Sequence, residues 1–183
     1  MHHLPQNRLR VAALALLCLL LPVSLRAAAP VASRTSPGQG RAERGVGFVA
    51  GPIGGIGFGY RWFDESGWGW QFGGLASHDS GETDAILGGQ RMKTLSVHPK
   101  SRLYALAGAS IDYTRRHDEA TWVWGPPGTR RTETSVDVGA GIGVSFGKSD
   151  GLLLALELPL VLEFCSGLKS VGPIPQMSLV YNF

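Results

Sequence analysis

The feature that most limits the fold of this chain is a strict alternation of apolar and polar or very small residues. In LLLALELPLVLEF (152–164) every even position is Leu or Phe, whereas Glu157, Pro159 and Glu163 occupy odd positions. Side chains of a β-strand point alternately to opposite faces, so one face of this segment is wholly apolar. The pattern predicts a strand that separates an apolar environment from a polar one.

The same alternation recurs along most of the chain after residue 44. TSVDVGAGIGVSF places Val and Ile opposite Gly, Ser and Asp, and IGGIGFGYRW places aromatic residues opposite Gly. The weakest segment is 85–97, where Arg91 and Lys93 share parity with leucines. This mixture indicates a bulge or a face of mixed character.

Eight strands are predicted, and their connections alternate between short and long. DESG, HPKS and GKSDG are tight turns, whereas SHDSGETD, RHDEATWVWGPPGTRRT and CSGLKSVGP are longer loops; the connection AGPIGG is short and breaks the regularity. An even number of strands with short turns at one rim and long loops at the other is typical of an outer-membrane barrel. The predicted strands lie near residues 45–50, 53–63, 67–77, 85–97, 102–115, 133–147, 152–164 and 174–183.

Alternation alone does not distinguish a membrane barrel from a soluble, lipocalin-like barrel with an apolar interior. The polar face consists mainly of Gly, Ser and single charges, which suits the narrow interior of a barrel of about eight strands. Aromatic residues also gather near the short turns and the chain end, as in the girdle at a bilayer interface. The predicted interface aromatics are Trp62, Trp68, Trp70, Tyr104 and Phe146, together with Tyr181 and Phe183 in the last strand.

The first 29 residues have the three-part layout of an export signal peptide. Two arginines precede the apolar stretch VAALALLCLLLPVSL, which is short for a membrane-spanning helix, and small residues follow it. Residues 30–44 are polar and rich in Pro and Gly, which indicates a flexible periplasmic arm. We therefore predict a cleaved leader at 1–29, the arm at 30–44 and a barrel at 45–183. Cys165 is the one cysteine after the leader, so no intrachain disulfide is expected.

In pattern, residues 45–183 resemble the small bacterial outer-membrane β-barrel proteins of the OmpA and OmpX kind. The hairpin GGIGFGYRWFDESGWGWQFGG and the terminal residues Tyr181 and Phe183 carry the resemblance. It implies an all-β, eight-stranded antiparallel up-and-down barrel in the cell outer membrane of a Gram-negative bacterium. It also implies that Leu179, Tyr181 and Phe183 form a signal that the barrel-assembly machinery reads.

Charged residues on the polar face are predicted to fill the lumen as ion pairs, because an isolated buried charge is costly. A barrel of eight strands has room only for side chains, which weighs against an open pore. A narrow path for small solutes or ions is the alternative function. The predicted lumen charge network comprises Arg61, Arg91, Lys93, Arg102, Asp112, Asp137, Glu157 and Glu163.

No group of residues predicts catalysis, a metal site or a cofactor. His78, Asp79 and Ser80 invite comparison with a lipid A deacylase, but adjacent loop residues are poorly placed for a proton relay. The consecutive residues 117–119 are equally unsuited to a metal without distant partners. The net charge of +3, with no basic patch interleaved with aromatics, argues against nucleic acid. A lipid-modifying enzyme therefore ranks third among the predicted functions.

The most promising working surface is the long loop at 115–132. Its arginine pairs suit phosphate groups, so contact with lipopolysaccharide is one interpretation, and its tryptophans suit the membrane or a protein partner. The alternative is that the arginines mark strand ends at the outer interface. The loop residues in question are Arg115, Arg116, Trp122, Trp124, Arg130 and Arg131. The sequence thus predicts a non-catalytic barrel with a structural or surface-interaction role.

Overall fold

A computed structural model describes residues 42–79, 82–117, 130–147, 150–165 and 167–183 of the 183-residue chain. Within these ranges, nine antiparallel strands form one closed sheet. No helix in this described part of the chain is long and apolar enough to cross a membrane. The strands are β1 Glu43–Gly51, β2 Gly55–Phe63, β3 Trp68–Asp79, β4 Glu82–His98, β5 Ser101–His117, β6 Arg130–Gly147, β7 Leu152–Phe164, β8 Leu168–Pro173 and β9 Gln176–Asn182.

The sheet closes into a barrel because β1 pairs with β2 along one edge and with β9 along the other. Strands β1 to β7 pair in sequence order, and β7 then pairs with both β8 and β9. Since β8 and β9 pair with successive parts of β7, together they fill the eighth position. The predicted eight-stranded antiparallel barrel is confirmed.

The two rims of the barrel differ in the length of the strands that reach them. The β2–β3, β4–β5 and β6–β7 connections share one rim with Phe183, whose amide donates to Arg44 O; we call this the turn rim. The β3–β4, β5–β6 and β7–β8 hairpins reach the opposite hairpin rim. Strands β4, β5 and β6 have 17, 17 and 18 residues, whereas β1 and β2 have 9 each. One wall of the barrel therefore rises well beyond the β1–β2 hairpin.

The strand register is staggered around the barrel. Partners followed from Val46 through β2 to β6 arrive at Leu162 on β7. Partners followed the other way, through β9, arrive at Leu152 on the same strand. A stagger of this kind tilts the strands, and an eight-stranded barrel built this way encloses a space that side chains can fill.

Outward and inward side chains alternate as the sequence predicted. The even-numbered leucines of β7 from Leu152 to Leu160 are exposed on the outer face, and the odd-numbered residues between them are buried inside. Strand β9 alternates in the same way. A register shift between Thr94 and Ser96 interrupts the β4–β5 ladder, so the predicted bulge is also confirmed.

Two segments predicted as loops are paired in the structure. Residues 168–173 form β8 against the end of β7, and β3 and β4 stay paired as far as Asp79 and Glu82. The break between β8 and β9 falls between Pro173 and Pro175. Proline has no backbone N–H to donate, so a continuous ladder through both positions is not possible.

Candidate functional site

The connection between β1 and β2 folds into the barrel instead of projecting from it. We call residues 52–54 the inner turn. The side chain of Ile53 is fully buried, with 0% exposure, although it sits in a turn. It belongs to an apolar cluster inside the barrel that also contains Phe63, Met92, Tyr104, Leu106 and Val161. The inner turn therefore occupies lumen space that a channel would need.

Contacts with the opposite wall hold the inner turn in place. Ser110 on β5 donates a hydrogen bond from Oγ to the carbonyl oxygen of Pro52. On β4, Gly88 approaches the end of the turn so closely that an added Cβ would lie 2.3 Å from Gly55 N and 2.6 Å from Gly54 C. Glycine is therefore required at position 88 by close backbone approach.

A single carboxylate, that of Glu157, is held by neutral hydrogen-bond donors in the lumen. Gln90 Nε2 lies 2.9 Å from both carboxylate oxygens, and Tyr104 OH donates to Oε1 at 2.5 Å. Gln176 Nε2 donates to Oε2 and also lies 2.7 Å from Gln90 Oε1. Because Gln176 Oε1 in turn accepts from Gly54 N at 3.4 Å, this network connects four strands to the inner turn.

Two arginines close the lumen nearer the turn rim. The guanidinium carbon of Arg61 lies 5.0 Å from the ring centre of Phe63 and 4.8 Å from that of Tyr104. Arg102 pairs with Glu43 at 2.7 Å, and its guanidinium carbon lies 4.2 Å from the ring centre of Phe63. Ion pairing and cation–aromatic contact reduce the cost of burying these charges.

The lumen contents are therefore stacked in three layers along the barrel axis. Strand β5 shows the order, because its inward residues reach each layer in turn as the strand leaves the turn rim. Arg102 belongs to the arginine layer, Tyr104 to the Glu157 network, and Ser110 contacts the inner turn. Polar groups and the apolar cluster around Ile53 together fill the interior, which agrees with the size of an eight-stranded barrel.

Three other residues of the predicted lumen network lie closer to the hairpin rim. Glu163 accepts hydrogen bonds from Lys169 Nζ at 2.8 Å and from Ser170 Oγ at 2.9 Å. Asp137 is the register partner of Glu163, and Asp112 lies on the neighbouring strand; both are half-buried. These carboxylates face the mouth of the barrel and lie outside the Glu157 network.

Arg91 and Lys93 lie on the outer face, which corrects their predicted place in the lumen. Arg91 is the register partner of Trp70, and its guanidinium carbon lies 4.2 Å from the ring centre of Trp68. Lys93 is the partner of Trp68, with Nζ 4.8 Å from its ring centre. Strand parity explains the difference, because the intervening Met92 is fully buried inside the barrel.

Tyr104 is also misplaced in the sequence prediction, which put it among the interface aromatics. Its side chain has 0% exposure and points into the lumen, where it binds Glu157. It shares strand parity with Arg102, so the alternation already contained the correct signal. Phe63 is a second inward aromatic that was not predicted as a lumen residue. Its opposite parity to the outward Trp62 was the signal for its position.

The remaining predicted interface aromatics lie on the outer face near the turn rim. Trp62 and Trp70 stack with ring centres 6.4 Å apart, and Trp70 stacks on Phe72 at 5.9 Å. Phe146 is exposed on the neighbouring side of the same rim. The residues of the predicted assembly signal, Leu179, Tyr181 and Phe183, also face outward and are exposed.

The four arginines predicted in the long loop belong to strands instead. Arg115 and Arg116 lie at the end of β5, and Arg130 and Arg131 at the start of β6. Because Arg116 is the register partner of Arg131, the hairpin brings both pairs together toward the hairpin rim. The loop residues Trp122 and Trp124 lie outside the described residues.

The residues considered for catalysis do not form a relay in the described part of the chain. His78 Nδ1 lies 2.8 Å from Thr83 Oγ1 across the β3–β4 hairpin. Asp79 pairs with Glu82 in the same hairpin, and Ser80 lies outside the described residues. Among the described His, Cys, Asp and Glu residues, no group of three is arranged to hold a metal ion.

Comparisons with known proteins find similarity at the level of solved structures. No protein-family model matches the sequence, and no curated protein matches it. The chain is similar to the Yersinia pestis outer membrane protein Ail in a phospholipid bilayer nanodisc, with 13% identity and a TM-score of 0.38 over 79% of this chain and 99% of that one. It is also similar to crystalline Ail, the attachment invasion locus protein of Yersinia pestis, in complex with the heparin analogue sucrose octasulfate. There the identity is 17% and the TM-score 0.37, over 78% of this chain and 96% of the other.

Proposed function

We propose that the chain is a non-conducting barrel of the bacterial outer membrane with a structural or surface-interaction role and no catalytic activity. The observation that carries the proposal is the filled lumen. The inner turn places its own backbone and the Ile53 side chain in the interior, and the Glu157 network lies directly beneath it. A solute path would have to displace both, together with the arginine layer.

The outer face supports the membrane location. Rows of exposed Leu, Ile, Val and Phe cover it, and an apolar surface of this extent is rare on soluble monomers. The closed sheet pairs the backbone groups internally, which a chain in lipid requires. With short turns at one rim and the tall hairpins at the other, we assign the turn rim to the periplasm and the hairpin rim to the cell exterior.

Conductance across planar bilayers tests the closed lumen. The folded protein is expected to give no reproducible single-channel steps under conditions in which a reconstituted general porin gives them. Steps that disappear in Glu157→Gln would contradict the closed lumen and favour the narrow channel. Fractionation with heat-modifiable gel mobility tests the location, and recovery of the folded protein from the soluble periplasm would contradict it.

The surface-interaction role is assigned to the arginine pairs of the β5–β6 hairpin. The backbone register of this hairpin brings Arg115 and Arg116 together with residues 130–131 at the exterior end of the tallest wall, where lipopolysaccharide phosphates lie. We expect Arg115→Gln with Arg116→Gln to weaken binding to lipopolysaccharide micelles by about fivefold per charge. Arg44→Gln, an exposed arginine at the turn rim, is the matched control and is expected to bind normally.

Leu179, Tyr181 and Phe183 are proposed to be the contact for the barrel-assembly machinery. All three face outward beside the β1–β9 seam, where the barrel closes. Phe183→Ala is expected to lower the yield of folded protein in cells while leaving refolding into detergent micelles unchanged. Phe146→Ala, an outward aromatic at the same rim, is the control and is expected to change neither yield.

A further inference from the structure

Two cations on the outer face have no role in the proposed function. Arg91 and Lys93 project from β4 toward the region that lipid occupies, and a charge there is unfavourable unless it reaches the interface. Both side chains lie beside Trp68, which directly follows the tight 64–67 turn at the turn rim. They therefore approach the level at which Trp side chains meet lipid headgroups.

The two cations and their aromatic neighbours form a compact cluster, which we call the Trp–Arg patch: Trp68, Trp70, Arg91 and Lys93. The Arg91 guanidinium carbon lies 4.2 Å from the Trp68 ring centre and 5.5 Å from that of Trp70. Its Nε is buried and has no hydrogen-bond partner. Two indole rings thus position the guanidinium group on the outer face.

The Asp64 carboxylate in the adjoining turn does not neutralise the patch. Asp64 Oδ1 accepts hydrogen bonds from Ser66 Oγ at 2.6 Å and from Trp68 N at 2.8 Å. Lys93 Nζ donates to Ser66 O at 2.9 Å, so Asp64 and Lys93 offset each other in charge around the turn. Within the part of the chain that the structure describes, no carboxylate pairs with Arg91. The patch keeps a net positive charge centred on that residue.

We propose that the Trp–Arg patch binds the phosphate of an anionic phospholipid in the periplasmic leaflet. The inference rests on the proposed function, because it needs the turn rim to lie at that leaflet. A guanidinium group matches phosphate oxygens as a hydrogen-bonding fork, and the neighbouring indole rings suit the zone between headgroup and acyl chain. Lipopolysaccharide is not the expected partner of this patch, because it lies in the outer leaflet, which the proposed function places at the hairpin rim.

Native mass spectrometry of the full folded chain, released from micelles with equal phosphatidylglycerol and phosphatidylcholine, tests the inference. The wild-type protein is expected to retain phosphatidylglycerol preferentially. Arg91→Gln is expected to reduce this preference by about fivefold. Lys93→Gln is expected to reduce it less, because that amine is already bound to Ser66. Lys100→Gln removes one charge from a different turn and is expected to leave the preference unchanged.

Several results would overturn the inference. One is an equal preference in Arg91→Gln and Lys100→Gln; another is displacement of phosphatidylglycerol by millimolar inorganic phosphate or by lipopolysaccharide. If Arg91→Gln fails to fold, Arg91→Lys and the wild-type protein in high salt replace it. We expect the lysine variant to keep the preference for phosphatidylglycerol and the wild-type protein to lose that preference in high salt. The opposite pattern refutes the site. A folded, membrane-inserted protein without the preference refutes this site alone, whereas failure to insert refutes the proposed function.

Discussion

The two turns that bound β2 show how differently one strand can begin and end. The inner turn before it carries Ile53, and its polar backbone groups find partners on the barrel wall. The 64–67 turn after it is exposed and is held largely by its own residues, since Asp64 accepts from Ser66 and Trp68, and Gly67 has a φ of +78°. Strand β4 adds two bonds, from Lys93 Nζ to Ser66 O and from Thr94 N to Gly67 O. A turn with its own hydrogen-bonding side chain makes most of its contacts locally, whereas the inner turn depends on the rest of the barrel. Substitutions around the inner turn should therefore lower the free energy of unfolding far more than substitutions in the 64–67 turn.

The largest expected effect comes from filling the space that the inner turn needs. Gly88→Val places a Cβ 2.3 Å from Gly55 N, and backbone cannot move away as a flexible side chain can. We expect a loss of about 3 kcal/mol or more, or failure to fold. Heat-modifiable mobility and urea unfolding in micelles measure it. Gly172→Val is the control, because a Cβ there meets nothing within 4 Å; equal losses in the two variants would contradict the close approach.

The next effect tests the apolar side chain of the inner turn itself. Ile53→Ala should lower the free energy of unfolding in micelles by about 2–4 kcal/mol, because it leaves a cavity among fully buried side chains. Ile111→Ala is the matched change on the outer face, where the side chain is 47% exposed, and should cost less than about 1 kcal/mol. Similar losses for both isoleucines would show that the inner turn is not held by burial.

The hydrogen-bond network beneath the inner turn should give a smaller effect. Glu157→Gln replaces one carboxylate oxygen with an NH2 donor, so Gln90, Tyr104 and Gln176 are left with one acceptor among them, and we expect a loss of about 1–3 kcal/mol in unfolding free energy. Glu163→Gln breaks a pair with the exposed Lys169 and should cost less than about 1 kcal/mol. If the Glu163 variant loses more, the Glu157 network is not what supports the turn.

Strand periodicity predicted most of the barrel, because every strand has an outer face that must be apolar. It also contained the correct positions of Tyr104 and Arg91, whose parities match the inner and outer faces. Residue type instead grouped Tyr104 with the aromatics of the girdle and Arg91 with the charges of the lumen, against their strand parity. Residue type is a weaker guide than parity to the face on which a side chain lies. An aromatic ring can shield a cation on the outer face, and a carboxylate can bind a tyrosine inside the lumen.

The inner turn was not predictable in the same way. The sequence showed only that AGPIGG is short and irregular. An apolar residue between Pro52 and two glycines does not indicate whether the turn folds into the barrel or away from it. Its inward path depends on Ser110 and Gly88, which lie on strands distant in sequence. Pairing along residues 168–173 was hidden for a related reason, since β8 is defined by its partner β7 and not by an alternation of its own.

The smallest effect concerns the solvated end of β2 and depends on pH. Burial alone would raise the pKa of Asp64, but hydrogen bonds from the Ser66 side chain and the Trp68 and Ser66 amides, together with the charge of Lys93, lower it below its ordinary 3.8. A carboxyl group with a lowered folded-state pKa stabilises the fold above its unfolded pKa, and this contribution is lost as the pH falls through the folded value.

Wild-type protein should therefore lose stability on acidification below about pH 3.8 more steeply than Asp64→Asn does. The difference should stay below about 1 kcal/mol, because the side chain is exposed and water screens its interactions. Urea unfolding in micelles at pH 7 and at successively lower pH measures it, with Glu65→Gln in the same turn as the control for loss of one charge. A flat difference between wild type and Asp64→Asn would mean that the hydrogen bonds of this turn do not depend on the charge of Asp64.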